Sequence, residues 1–145
     1  MRKLVQPPSP NDLPKTKKEP KIEPPQNKRA RILVVDDDAM VRNVLCSELS
    51  EHHLGEAEDG IRGLELFKNG EFDLVITDLK MPRMGGMELL AEIKMINPDA
   101  RVIVISGFLE TQAKEMLESM GAALVLEKPM GVVEISEHVA RLLPG

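Results

Sequence analysis

The chain has 145 residues, of which 42% are hydrophobic and 30% are charged, and no apolar run approaches the ~18 residues of a membrane span. Its single cysteine, Cys46, excludes an internal disulfide framework and fits a reducing compartment, so we expect one globular, cytoplasmic protein. The net charge of −5 is uneven, because residues 1–30 carry eight Lys and Arg against three Asp and Glu; the acidic remainder repels nucleic-acid phosphates and is expected not to bind nucleic acid directly.

The first segment of the chain, residues 1–29, is rich in proline and lysine. It holds seven of the eleven prolines. Such a composition cannot bury enough apolar surface to offset the entropy of ordering. We predict a disordered, partly polyproline-II arm over 1–29 and a folded domain over 30–145. The arm is either a solvated tail or a docking segment, and its composition does not decide between the two.

From Arg31 onward, short apolar runs alternate with amphipathic helical patterns. The predicted strands are 31–35, 54–58, 72–77, 101–105 and 122–126. The predicted helices run from a cap at Asp38 to about Glu51 and over 60–69, 87–96, 109–120 and 132–143. Regular alternation of this kind implies a parallel sheet with right-handed crossovers and helices on both faces.

Polar side chains follow four of the predicted strands where each strand ends. Ligand sites in open α/β sheets lie beyond the carboxyl ends of the strands, so these side chains are expected to share one rim. Taken singly, each has a plain explanation as a turn or a helix cap, but their conjunction favours a chemical site. The rim residues are Asp36, Asp37 and Asp38 after the first strand, Asp78 after the third, Ser106 after the fourth and Lys128 after the fifth.

The residue types at this rim suit phosphoryl chemistry. Close carboxylates repel each other without a counter-ion, and their oxygens suit Mg²⁺. A carboxylate can also act as a nucleophile towards phosphorus, giving an aspartyl phosphate. Lys128 supplies a positive charge for phosphate oxygens, and Ser106 supplies a hydroxyl donor.

Several stretches together resemble the receiver domain of two-component response regulators, in particular single-domain chemotaxis or phosphorelay regulators. The resemblance covers about residues 30–143. It implies an α/β, flavodoxin-like (βα)5 three-layer sandwich with a parallel five-stranded sheet in the order 2-1-3-4-5. The matching stretches are 32–38 (ILVVDDD), 58–60 (EDG), 73–86 (DLVITDLKMPRMGG), 121–122 (GA) and 127–129 (EKP).

The resemblance also implies a role for each rim residue. Asp78 would accept a phosphoryl group from a sensor histidine kinase or a histidine phosphotransfer protein. Lys128 would contact that group, and Ser106 would move to hydrogen-bond it as the switch residue. The implied ligands of Mg²⁺ (or Mn²⁺) are Asp36, Asp37, Asp78 and the backbone carbonyl of Lys80.

The chain departs from the family pattern at Val125, three residues before Lys128, where receivers usually carry Tyr or Phe. The chain therefore lacks the aromatic side chain whose rotamer usually follows the hydroxyl residue in this family. Two further positions, Lys80 and Phe108, flank the expected approach of water and are predicted to slow hydrolysis. The small Gly107 leaves access for the phosphoryl donor.

The resulting hypothesis is a signalling switch that catalyses only its own phosphorylation and autodephosphorylation. Only two residues follow the last predicted helix, so output is expected through a downstream effector protein bound at the 109–143 face. A haloacid-dehalogenase-type phosphatase is the alternative, although residues 36–40 (DDDAM) lack the last residue of its Asp-x-Asp-x-Thr/Val signature. A receiver fragment of a larger regulator or hybrid kinase is a further alternative.

Overall fold

The computed structural model describes residues 29–143, except for the side chains at positions 130 and 131. The predicted arm over 1–29 therefore lies outside the described residues, Arg29 apart. Within 29–143, none of the helices has the length and apolar character needed to cross a lipid bilayer.

Five strands form one parallel sheet in the order β2-β1-β3-β4-β5, as predicted. The central strands are rich in Val, Ile and Leu and are buried on both faces, which is why they appear in the sequence as unbroken apolar runs. The strands are β1 (Arg31–Val35), β2 (His53–Ala57), β3 (Leu74–Asp78), β4 (Arg101–Ser106) and β5 (Leu124–Glu127).

Helices cover both faces of the sheet. The carboxylate of Asp38 caps the first helix, as predicted, by accepting from the amides of Met40 and Val41 at 2.9 and 3.4 Å. The first helix ends at Glu48, three residues before the predicted end. The helices are α1 (Ala39–Glu48), α2 (Gly60–Asn69), α3 (Gly86–Ile96), α4 (Thr111–Ser119), α5 (Met130–Val133) and α6 (Ile135–Leu142).

The last predicted helix, 132–143, is wrong as a single element, because the structure has α5 and α6 with a break at Glu134. The amides of Val132 and Val133 both donate to the carbonyl of Pro129 at 3.1 Å, so α5 starts directly after that proline. Val132, Ile135 and Val139 are all buried in one cluster, and their spacing also fits a continuous helix. The pattern therefore could not show the break.

Two apolar clusters lie on opposite faces of the sheet. Because side chains alternate along a strand, Leu33 and Val35 face one cluster, which packs against α2, α3 and α4, whereas Ile32 and Val34 face the other, which packs against α1, α5 and α6. This three-layer packing holds the carboxyl ends of β1, β3, β4 and β5 along one rim.

Candidate functional site

The register of the sheet brings the predicted acidic residues together. Val35 pairs with Thr77 across β1 and β3, so Asp36 leaves β1 beside Asp78, the last residue of β3. One carboxylate oxygen from each of Asp36, Asp37 and Asp78 lies within 4.8 Å of the others. The predicted clustering of these three carboxylates is therefore observed.

The three carboxylates differ in their exposure. Asp36 is 2% exposed and Asp78 is 8% exposed, whereas Asp37 is open to solvent. Burial, reinforced by the negative charge of Asp36, raises the pKa of Asp78 above its ordinary value, although Lys128 opposes the shift. Because burial and repulsion disfavour the ionised carboxylates at this site, a bound cation would stabilise them.

The backbone around Asp36 is fixed by several hydrogen bonds. The amide of Asp36 donates to the carbonyl of Ala57 at 3.1 Å, and the Arg42 guanidinium donates to the carbonyl of Asp36 at 2.6 Å. The carboxylate accepts from the amide of Asp38 at 2.9 Å. The second carboxylate oxygen of Asp36 contacts Lys128.

Lys128 lies between the two buried carboxylates. Its Nζ is 3.2 Å from an oxygen of Asp36 and 3.4 Å from an oxygen of Asp78, and its amide donates to the carbonyl of Ser106 at 2.9 Å. Burial acts to lower the pKa of Lys128, but the charges of Asp78 and Asp36 outweigh it and raise the pKa above its ordinary value. The ammonium therefore stays charged and offsets one of the three carboxylates.

Ser106 is buried at the end of β4, as the sequence predicts, but its hydroxyl is engaged locally. It donates to the carbonyl of Phe108 at 2.8 Å and accepts from the amide of the same residue at 3.3 Å. Gly107 lies between them, and a Cβ added there would meet no atom within 4 Å. Phe108 itself is 68% exposed.

The remaining predicted residues, Lys80 and Val125, lie in the loop after β3 and in β5. Lys80 is exposed in the β3–α3 loop, residues 79–85, two residues after Asp78. Val125 is buried in β5 and packs with the apolar cluster that includes Leu117. It also lines a groove of about 260 Å³ between α4 and β5, together with Leu109, Glu110, Thr111, Lys114, Leu126 and Glu127.

Two charged residues near the site form a contact that the sequence does not indicate. Asp59 caps α2 by accepting from the amide of Arg62 at 2.9 Å, and its other oxygen accepts from the guanidinium of Arg83. An aspartate followed by Gly60 at the start of a helix is a recognisable cap signal. No pattern in the sequence joins Asp59 to Arg83, 24 residues later.

The donor set fits a hard divalent cation. Carboxylate oxygens are the ligands that Mg²⁺ and Mn²⁺ prefer, and three of them converge beside an exposed edge. The excess of carboxylates over ammonium groups and the raised pKa of Asp78 favour the same ligand.

Comparisons with known proteins agree on one family. The model of the response regulator receiver domain matches residues 32–140. Sporulation initiation phosphotransferase F of Bacillus subtilis is 30% identical to the chain over 116 residues, which are 79% of this chain and 94% of that protein. Chemotaxis protein CheY-3 of Vibrio cholerae is 30% identical over 121 residues, which are 80% of this chain and 93% of that protein.

Solved structures show the same fold. A receiver domain protein from Methanospirillum hungatei, described as CheY-like, superimposes with a TM-score of 0.74 at 26% identity and covers 79% of this chain and 93% of its own. The CheX-CheY-BeF3-Mg²⁺ complex from Borrelia burgdorferi matches with a TM-score of 0.74 at 27% identity and covers 80% of this chain and 90% of its own. The flavodoxin-like fold expected from the sequence is confirmed.

Proposed function

The chain belongs to the response regulator receiver domain family, and we propose that Asp78 is the residue that accepts the phosphoryl group. The donor is a sensor histidine kinase or a histidine phosphotransfer protein. One observation carries the proposal: the buried carboxylate of Asp78 ends β3 with Asp36, Asp37 and Lys128 around it.

The chemistry is a transfer between two nucleophiles. A carboxylate oxygen of Asp78 attacks the phosphorus of the donor's phosphohistidine, the P–N bond breaks, and its electron pair stays on the imidazole nitrogen. Asp78 then carries an acyl phosphate. Attack of water on that phosphorus releases inorganic phosphate and restores the carboxylate, so the protein modifies only itself and does not turn over a separate substrate.

The chain's own residues supply positioning and charge. The ammonium of Lys128, already within 3.4 Å of Asp78, neutralises charge on the transferred group. Asp36, Asp37, Asp78 and the backbone carbonyl of Lys80 would hold Mg²⁺ or Mn²⁺. The bound cation would neutralise carboxylate and phosphoryl charge, which otherwise opposes the approach of an anionic donor.

A labelling experiment tests this function. Purified protein incubated with a small phosphoryl donor, such as acetyl phosphate, is expected to gain one base-labile phosphoryl group per chain in the presence of Mg²⁺. Removal of Mg²⁺ with a chelator is expected to slow labelling by about 100-fold, because the carboxylate cluster then repels the donor. Mass spectrometry of the intact protein measures the stoichiometry.

Two outcomes would contradict the proposal. One is the absence of labelling from any small donor or histidine kinase at saturating Mg²⁺. The other is continuous hydrolysis of a phosphate ester without a stable labelled protein, which would indicate a haloacid-dehalogenase-type phosphatase instead.

We infer that Ser106 acts as the switch residue. Its hydroxyl would leave the carbonyl of Phe108 and donate to the phosphoryl oxygen, which shifts the β4–α4 loop between two arrangements. Because Val125 occupies the position where receivers usually carry an aromatic ring, this loop and the start of α4 carry the change to the surface. The downstream effector protein would bind the 109–143 face, which includes the groove between α4 and β5.

Hydrolysis of the acyl phosphate is controlled, in this proposal, by Lys80 and Phe108. Lys80 lies two residues after Asp78, and the exposed ring of Phe108 stands beside Gly107, where no side chain fills the space. Both side chains would restrict the approach of water, whereas Gly107 keeps a path for the donor. The proposed setting for these reactions is the cytoplasm.

Truncation of Phe108 tests the control of hydrolysis. Phe108→Ala is expected to shorten the half-life of the phosphorylated protein about threefold, because water gains access to the phosphorus. The half-life is measured after rapid removal of the donor. The matched control is Met116→Ala, which removes another exposed apolar side chain, in the middle of α4, and should leave the half-life unchanged. Equal half-lives for Phe108→Ala and the unmodified protein would refute this role.

A further inference from the structure

A salt bridge ties the β3–α3 loop to the start of α2. Both Nε and Nη2 of Arg83 donate to the same carboxylate oxygen of Asp59, the former at 2.9 Å. The Asp59 side chain is 4% exposed, whereas that of Arg83 is 59% exposed. The other oxygen of Asp59 accepts from the amide of Arg62. The buried Asp59 carboxylate therefore has one partner in α2 and one in the β3–α3 loop. The salt bridge with Arg83 joins these two segments.

Backbone contacts reinforce the same junction. The amide of Gly60 donates to the carbonyl of Met84 at 3.0 Å, and a Cβ at Gly60 would lie only 2.4 Å from that oxygen. The two ends of the loop are also joined, because the amide of Gly86 donates to the carbonyl of Leu79 at 2.8 Å. The β3–α3 loop is therefore held by a hydrogen bond between its ends and packs closely against the start of α2.

Arg83 adopts a backbone conformation that is unfavourable for its side chain. Its φ is +70°, in the left-handed region that residues other than glycine rarely enter. Such a conformation persists where surrounding contacts determine it, and it is concentrated at functional sites. At Arg83 the salt bridge with Asp59 and the neighbouring bond from Gly60 to Met84 supply those contacts.

The loop held in this way carries the backbone carbonyl assigned to the cation. Lys80 lies between two anchored parts of this loop. On one side, the amide of Leu79 donates to the Asp78 carboxylate at 2.9 Å, and on the other side Arg83 binds Asp59. We propose that Arg83 is a positioning residue for the cation site, which through Asp59 fixes the β3–α3 loop and so keeps the Lys80 carbonyl in place beside the acidic cluster. This inference rests on the proposed function of that cluster.

The variants are chosen to separate the salt bridge from the helix cap. Arg83→Gln removes the charge and keeps most of the side chain. Asp59→Asn removes the other charge but retains an oxygen that caps α2 as well as aspartate does. The control, Arg62→Gln, breaks the exposed salt bridge to Glu65 at 3.1 Å, which joins two residues of α2 and does not touch the loop.

Two measurements on the unphosphorylated protein give the readout. In metal-free buffer, Arg83→Gln and Asp59→Asn are expected to speed hydrogen exchange of the Met84 and Gly86 amides about tenfold, because the loop opens more often. In a Mg²⁺ titration followed by amide chemical shifts, both are expected to weaken binding about tenfold, as is typical when a residue that orients a metal ligand is lost. Arg83→Lys should recover part of the affinity, and Arg62→Gln should match the unmodified protein.

A third measurement links the loop to phosphorylation. With Arg83→Gln, labelling should slow most at low Mg²⁺, and the deficit should shrink as the Mg²⁺ concentration rises, because weakened cation binding is overcome by mass action. A deficit that is constant at all Mg²⁺ concentrations would contradict the inference.

The remaining outcomes separate this inference from the proposed function. Faster exchange with unchanged Mg²⁺ affinity would assign the salt bridge a structural role only and would overturn the inference. Unchanged exchange and affinity would overturn it as well. In both cases the unmodified protein would still be labelled, so the proposed function would stand. Failure of the unmodified protein to be labelled would refute the function itself, whereas the Mg²⁺ titration would still decide the role of Arg83.

Discussion

Asp78→Asn is expected to reduce phosphoryl labelling by at least about 1,000-fold, because the amide that replaces the carboxylate has no nucleophilic oxygen of comparable strength. The measurement is incorporation from acetyl phosphate at saturating Mg²⁺, followed by mass spectrometry. The variant should remain folded, since the substitution keeps the shape of the side chain and removes a buried charge that Asp36 repels.

Neighbouring aspartates provide the control. Asp38→Asn changes the same residue type at the same rim, but asparagine caps α1 as well as aspartate does, so labelling should stay within about twofold. Asp37→Asn, by contrast, removes a carboxylate of the cluster and should raise the Mg²⁺ concentration needed for labelling. Labelling of Asp78→Asn at the normal rate would show that another residue accepts the phosphoryl group.

Gly86→Ala is expected to destabilise the protein by about 3 kcal/mol, because the added methyl group overpacks the junction between β3 and α3. A Cβ at Gly86 would lie 2.2 Å from the carbonyl oxygen of Asp78 and 3.0 Å from the Cα of Leu79, both of them backbone atoms that cannot rotate away. Either α3 or the end of β3 must shift, and the second shift would displace Asp78. Urea denaturation at constant Mg²⁺ measures the loss.

Gly107→Ala is the matched control for this stability measurement. A Cβ there would meet no atom within 4 Å, and its φ lies outside the left-handed region. Its free energy of unfolding should be unchanged or higher by less than about 1 kcal/mol, since alanine reduces the entropy of the unfolded chain. Similar stabilities for Gly86→Ala and Gly107→Ala would show that the crowding at Gly86 is relieved at little cost.

The rim could be predicted because its signals are local. Apolar runs such as 32–35 and 74–77 mark strands buried on both faces, and the residues that follow them must share one edge once the strands are parallel. The sequence therefore predicts that Asp36 and Asp78 lie close together. The helix cap at Asp38 can likewise be predicted from the residue type and its position before the helix.

The rest depended on contacts between distant segments. The salt bridge between Asp59 and Arg83 joins two loops, and Arg83 is exposed, so neither burial nor periodicity marks it. Its positive φ is set by the loop that encloses it and leaves no trace in the residue type. The break at Glu134 was hidden because Val132, Ile135 and Val139 repeat as they would in one helix.

The hydrogen bonds between Ser106 and Phe108 set a limit on how sharply the switch can respond. If the hydroxyl donates to the phosphoryl group, it must first give up the carbonyl of Phe108. Signal strength therefore depends on a competition between that carbonyl and the phosphoryl oxygen for the one hydroxyl hydrogen. A difference of about 1.4 kcal/mol between the free energies of these two hydrogen-bonded states changes their population ratio tenfold. The basal activity of the unphosphorylated protein and its maximal response are therefore set by the same bonds, and strengthening them would lower both.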